Sequence, residues 1–173
     1  MLFRLTVTVL ETKPPIWRRI LVPADISFAR LHVILQALFG WSEESDHQFS
    51  IGDINLGSAD DTSGIDLDNE RKFRLRQYVP KEYPEFYYGY DIERAGWMIA
   101  IRYEGELPAK PGDAPYRCED GEHGILPEGA GGPEVYNAIM AGKQPNGPDV
   151  ATFDLEATNK RLAELTALGG YSL

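Results

Sequence analysis

The sequence predicts an α+β fold. Residues 1–173 read as a single domain: a mostly antiparallel sheet of about five strands packed against a central N-terminal helix, with a C-terminal helix and a long Gly/Pro-rich loop. Three observations predict it. Phe3, Leu5, Val7 and Val9 alternate with Arg4, Thr6 and Thr8, which is the period of a half-buried strand. Phe28, Leu31, Ile34, Leu35, Leu38 and Phe39 recur at three- and four-residue spacing, which places them on one face of a helix. The runs Glu85 to Asp91 and Trp97 to Tyr103 favour strand, and Glu93-Arg94-Ala95-Gly96 between them reads as a hairpin turn.

Each element follows in order. Glu11 to Pro15 turns the chain, so Arg18 to Val22 can pair antiparallel with the first strand. Pro14-Pro15 and Pro23 bound that run and fit an exposed or edge strand, since proline cannot donate to a ladder. Ser27 stands where a helix N-cap belongs, and Gly40 supplies the left-handed residue that ends many helices. Trp41 is placed to fold back on the last turn; Arg30 and Gln36 are expected to face water. His47 to Ile51 alternates as a further strand, and residues 52–70 read as an acidic loop. Phe73, Leu75 and Tyr78 give a weak apolar pattern before Pro80. Residues 104–133 contain seven glycines and five prolines and read as a loop without a regular element, functional or mobile. Pro133 to Ala141 reads as a short helix. Asp154 caps a final helix whose Leu155, Leu162, Leu165 and Leu168 face one way, with Gly169-Gly170 as its stop.

Composition narrows the function classes. No apolar run approaches a membrane span and no signal-peptide pattern opens the chain. Cys118 is the single cysteine, so no internal disulfide forms and a cytoplasmic location is expected. The net charge of −10 is uneven: +3 over residues 1–40, −9 over 41–70 and −4 beyond. Nucleic-acid binding needs a cationic footprint. It would here require Arg4, Lys13, Arg18, Arg19 and Arg30 to share one face, and nucleic acid is not the expected partner. An EF-hand aligned on Gly64 would take Asp61 and Glu70 but puts Ala59 at the first ligand position, and no helices flank it. Gly129 to Gly132 lacks both the glycine at Glu134 that a dinucleotide loop needs and the lysine-serine pair of a P-loop.

Pro15-Ile16-Trp17-Arg18, Leu31-His32, Gly40-Trp41 and His47-Gln48-Phe49 form a distinctive N-terminal block. Tyr90-Asp91, Trp97, Cys118-Glu119-Asp120-Gly121, Pro127-Glu128, Gly131-Gly132 and Phe153-Asp154-Leu155 continue it. With these residues the chain resembles the plasmid pRiA4b ORF-3-like family over most of its length. The resemblance implies an α+β fold, an association with plasmids and other mobile elements, and no established activity. The chain departs from the pattern at Ser45, Ile92 to Arg94, Ile99, Ile125 and Gly129, where the family carries other residues, several of them polar or metal-ligating.

The polar residues that the resemblance leaves are His32, His47, Asp91, Cys118 and Glu128. They have the donor types of a zinc site but not paired ligand spacing. Cys118 with His47 or His32 would be a thiol nucleophile and its base. Glu119, Asp120 and Glu122 around the thiol oppose its ionisation, and Arg117 offsets them in part. Asp91 with Glu128 would be a carboxylate pair. No GxSxG elbow is present. Trp41, Tyr90 and Trp97 are the aromatic residues expected along a groove between the central helix and the glycine-rich loop, a surface suited to a protein or peptide partner. The expectation is therefore a non-enzymatic interaction or accessory domain without cofactor or bound metal. A metal-dependent or thiol enzyme and a DNA-binding accessory to recombination are the rivals.

Overall fold

A computed structural model describes residues 1–60, 64 and 66–167. Among them lie eight strands: β1 Leu2–Val9, β2 Ile16–Pro23, β3 His47–Ile51, β4 Ile54–Gly57, β5 Asp68–Asn69, β6 Glu85–Tyr90, β7 Trp97–Leu107 and β8 Arg117–Glu122. Four α-helices accompany them: α1 Phe28–Phe39, α2 Leu75–Tyr78, α3 Pro133–Met140 and α4 Leu155–Ala167. The strands form one sheet in the order β5-β4-β3-β6-β7-β1-β2-β8. Every pairing is antiparallel except β4 with β5.

The α+β class stands, but the sheet exceeds the five expected strands. β4 and β5 lie inside the stretch read as loop, and β8 lies inside residues 104–133. Short outer strands are held by backbone pairing to a neighbour and need little apolar periodicity of their own. In β8 the core takes only Cys118. β2 is not an edge strand: it pairs with β1 on one side and β8 on the other. Its prolines fall in the preceding turn and at its last position, where no ladder bond is interrupted.

α1 is the centre of the core. Ser27 accepts the Arg30 N–H as N-cap, and Gly40 ends the helix at φ 72°. Phe28 meets Phe49 of β3 and Phe86 of β6 edge-on, at ring separations of 5.3 and 5.7 Å. α4 packs on both α1 and β8. Its Arg161 donates from Nε to Ala37 O and from Nη2 to Leu38 O, covering orphan carbonyls at the negative end of α1. Leu162 is buried and Leu165 packs on the core, but Leu155 is exposed. Leu168 and Gly169-Gly170 lie outside the described residues, as does Asp61. No helix among the described residues is long and apolar enough to cross a membrane.

Candidate functional site

His32 and Gln36 stand one helical turn apart on α1, so both reach the same strand, β6. Gln36 is buried, contrary to the expectation that it faces water. Its Oε1 accepts the Glu43 N–H at 2.8 Å, which fixes Nε2 as the donor to Tyr88 Oη at 2.9 Å. Tyr88 is fully buried, so its own proton goes to His32 Nδ1 at 2.8 Å. His32 then carries its proton on Nε2, which meets Glu43 Oε1 at 3.2 Å. The ring closes on itself: Gln36, Tyr88, His32, Glu43 and back to Gln36. Burial, followed by the charge of His47, lowers the His32 pKa to about 3.

His47 opens β3 and stacks on His32, ring centroids 3.5 Å apart and planes within 6°. Its Nε2 meets Glu70 Oε2 at 2.8 Å, with both side chains nearly enclosed. Glu70 begins a 3-10 turn directly after β5. The β3–β6 pairing sets His47 opposite Tyr90, so a second network adjoins the first. Tyr90 Oη donates to Glu128 and accepts the Ser45 N–H. Glu128 also accepts the Ser42 N–H at 2.8 Å and Ser42 Oγ at 2.6 Å. Burial pushes the Glu128 carboxyl up, but these hydrogen bonds outweigh it and leave its pKa below the ordinary value. Arg94 bridges Ser45 Oγ and Asp91 Oδ1. Asp91 is a turn residue at φ 49° whose carbonyl accepts the Gly96 N–H.

Four of the five candidate polar residues thus surround the loop 42–46, but not as one ligand set. His32 and His47 meet each other, while Asp91 and Glu128 hold separate ends of that loop. Cys118 belongs to β8, five strand positions from β3 and on the order of 20 Å away across the sheet. It cannot share a proton or an ion with either histidine. Its thiol is pushed up to about 11 chiefly by burial, with Arg18 opposing and the flanking acids adding little. Among the described residues no group of three or more His, Cys, Asp or Glu is arranged to hold a metal ion. Trp41, Tyr90 and Trp97 do not line an open groove. Each is at most 6% exposed. Trp41 stacks on Tyr90 at 4.8 Å and tilts against Trp97 at 5.8 Å, so the three rings are core.

The basic N-terminal residues do not share one face either. Arg18 is buried beside Val7, Arg19 pairs with Thr6 on the other face, and Arg4 is held by Glu119. Sequence reasoning missed Gln36, Glu43, Glu70 and Tyr88. The signal for Tyr88 was present: Phe86, Tyr88 and Tyr90 alternate with the exposed Tyr87. Removing the Tyr88 hydroxyl leaves His32 Nδ1 and Gln36 Nε2 buried without partners. Tyr88→Phe is therefore expected to cost about 2 kcal/mol in urea unfolding at pH 7. A loss below a few tenths would show that the ring of bonds contributes nothing net.

Fold and site together define an antiparallel α+β domain organised around a stacked histidine pair and a buried tyrosine. The chain belongs to the family described as plasmid pRiA4b ORF-3-like protein, whose model matches residues 1–158. It is 34% identical over 134 residues to the uncharacterised protein y4hQ of Sinorhizobium fredii, covering 77% of this chain and 68% of that one. The crystal structure of MM3350, a protein of unknown function from Methanosarcina mazei Go1, superposes with a TM-score of 0.73 at 27% identity. That match covers 90% of this chain and 95% of the other.

Proposed function

We propose that the domain is a non-enzymatic recognition or accessory module of a mobile-element-associated family, acting in the cytoplasm. One observation carries this reading. Apart from His47 Nδ1, the polar groups with catalytic chemistry are tied into structural contacts or stand apart: both nitrogens of His32 are engaged, Glu128 clamps three groups of the loop 42–44, and Cys118 is at the far edge. Such networks specify a structure. An open cavity lies beside β8 and α3, lined by Tyr136, Met140, Val150 and Phe153 together with Gly121 to Gly124. It has the mixed apolar and polar lining of a binding site.

Elemental analysis of the purified protein tests the reading against the metal-enzyme rival. Substoichiometric zinc, iron and manganese are expected; a stoichiometric transition metal lost on His47→Asn would overturn it. One arrangement favours a second reading. His47 Nε2 is held by Glu70, and Nδ1 makes no hydrogen bond among the described residues, as in an oriented general base. Hydrolysis of activated esters that His47→Gln abolishes in a folded protein would establish that second reading.

A further inference from the structure

Pro14 and Pro15, in the turn between β1 and β2, hold two side chains from the far half of the sequence through their carbonyls. Pro14 O accepts from Tyr136 Oη at 3.0 Å, and Pro15 O accepts from His123 Nδ1 at 2.9 Å. A carbonyl only accepts, so Nδ1 carries the imidazole proton. In the neutral ring Nε2 is then a lone-pair acceptor, and it makes no hydrogen bond among the described residues. His123 stands at φ 60°, a left-handed backbone that residues other than glycine seldom adopt. Strain of this kind persists where the surroundings hold it, and it collects at binding sites. The next residue, Gly124, lies so close to the segment at 151 that a Cβ on it would overlap the Ala151 carbonyl. The chain around His123 is thus fixed by Pro15 on one side and by backbone contact on the other.

His123 and Tyr136 both line the open cavity beside β8 and α3, whose volume is about 290 Å³. Each has given its proton to a turn carbonyl, so what either offers a ligand is a lone pair. Pro15 is not part of the lining, and Nε2 belongs to the ring edge not engaged by it. The ligand must therefore bring the donor. Its charge is limited from two sides. The Glu122 carboxylate is part of the lining and opposes an anion. Arg18 stacks at 4.1 Å on Phe153, another lining residue, and opposes a cation. A neutral molecule meets neither penalty. The rings of Tyr136 and Phe153 and the thioether of Met140 favour an aromatic body. Ligand pockets commonly run from about 300 to 1,000 Å³, so this one suits a single ring. We propose that the cavity binds a neutral monocyclic phenol, its ring among these side chains and its hydroxyl donating to His123 Nε2.

The test titrates para-cresol into the full chain at about pH 8, followed by the methionine methyl resonances. An aromatic guest shifts nearby methyls through its ring current, and Met140 alone of the three methionines lines the cavity. Met1 and Met98 are the internal controls. Met140 is expected to shift saturably while the other two stay in place. The methyl ether of para-cresol, which has no proton to donate, is expected to bind about fivefold more weakly or worse. The ions para-toluate and para-methylbenzylammonium are expected to give no saturable response. His123→Asn tolerates the left-handed backbone and keeps an N–H near the position of Nδ1, but has nothing at Nε2. It is expected to fold and to bind para-cresol about fivefold more weakly. No saturable Met140 shift, equal affinity for the ether, tighter binding of either ion, or unchanged affinity in folded His123→Asn would overturn the site. If that variant does not fold, the wild-type comparison of cresol with its ether decides alone. The site rests on reading the domain as a binding module, yet the two fail separately. Chemical conversion of bound cresol would remove the non-enzymatic reading and leave the site, whereas absent binding would remove the site alone.

Discussion

Acidification from pH 7 to pH 4 is expected to remove about 3 kcal/mol of folding stability through His32 alone. The imidazole of an unfolded chain takes up its proton near about pH 6.5. In the folded protein burial, with His47 adding to it, holds the His32 pKa at about 3. Between these values the unfolded chain binds a proton that the folded chain does not. Falling pH therefore favours unfolding: the contribution is complete above the unfolded value and drains as pH drops toward the folded one. Each unit in that window amounts to about 1.4 kcal/mol. The tautomer forced by Tyr88 works in the same direction, because a proton on Nδ1 would face the hydroxyl hydrogen. Urea unfolding of wild type and His32→Gln between pH 7 and pH 4 measures it. The variant should start less stable and approach the wild type as pH falls. An NMR titration in which the His32 ring protonates at an ordinary histidine value would refute the prediction.

Gly132→Ala is expected to cost about 3 kcal/mol or more. A Cβ at this position would overlap the carbonyl of Ala95. That carbonyl belongs to the turn between β6 and β7, against which the start of α3 packs, so the obstacle is backbone and cannot rotate away. Gly132 has φ −117°, a value any residue adopts, so the whole effect is steric. Gly129 provides the control. It sits at φ 77° with open space around a Cβ, and Gly129→Ala should cost only about 1 kcal/mol of backbone strain. Thermal unfolding of the two variants side by side distinguishes them; equal losses would contradict the packing argument. The glycine at 132 thus serves close approach of the chain, whereas Gly131 sits at φ 122°, a backbone conformation that favours glycine.

The candidate site was legible in part. His32 and His47 were recognised and do meet, because each stands at a strong local feature: the edge of an apolar helical stripe and the start of an alternating strand. Glu43 and Glu70, which orient them, lie in the acidic stretch 41–70. There no spacing separates a buried carboxylate from the solvated ones around it. Gln36 looked like a solvent residue because one turn of α1 gives no sign of Tyr88 above it. Trp41, Tyr90 and Trp97 were recognised as aromatic partners, but burial turned them from a surface into core.

Local patterning by itself determined the β1–β2 hairpin, the limits of α1, the β6–β7 hairpin and the capped final helix. Each rests on contacts within a few residues, and side-chain periodicity records those. Only the tertiary structure decided that Cys118 stands apart from the histidines and that Arg18 is enclosed with no ion-pair partner among the described residues. Both outcomes depend on strand order and register. The β2–β8 pairing places Gly121 against Arg18 and carries the thiol to the far edge of the sheet. Pairing between strands about a hundred residues apart in the chain is set by the packing of the whole core, and no local spacing encodes it.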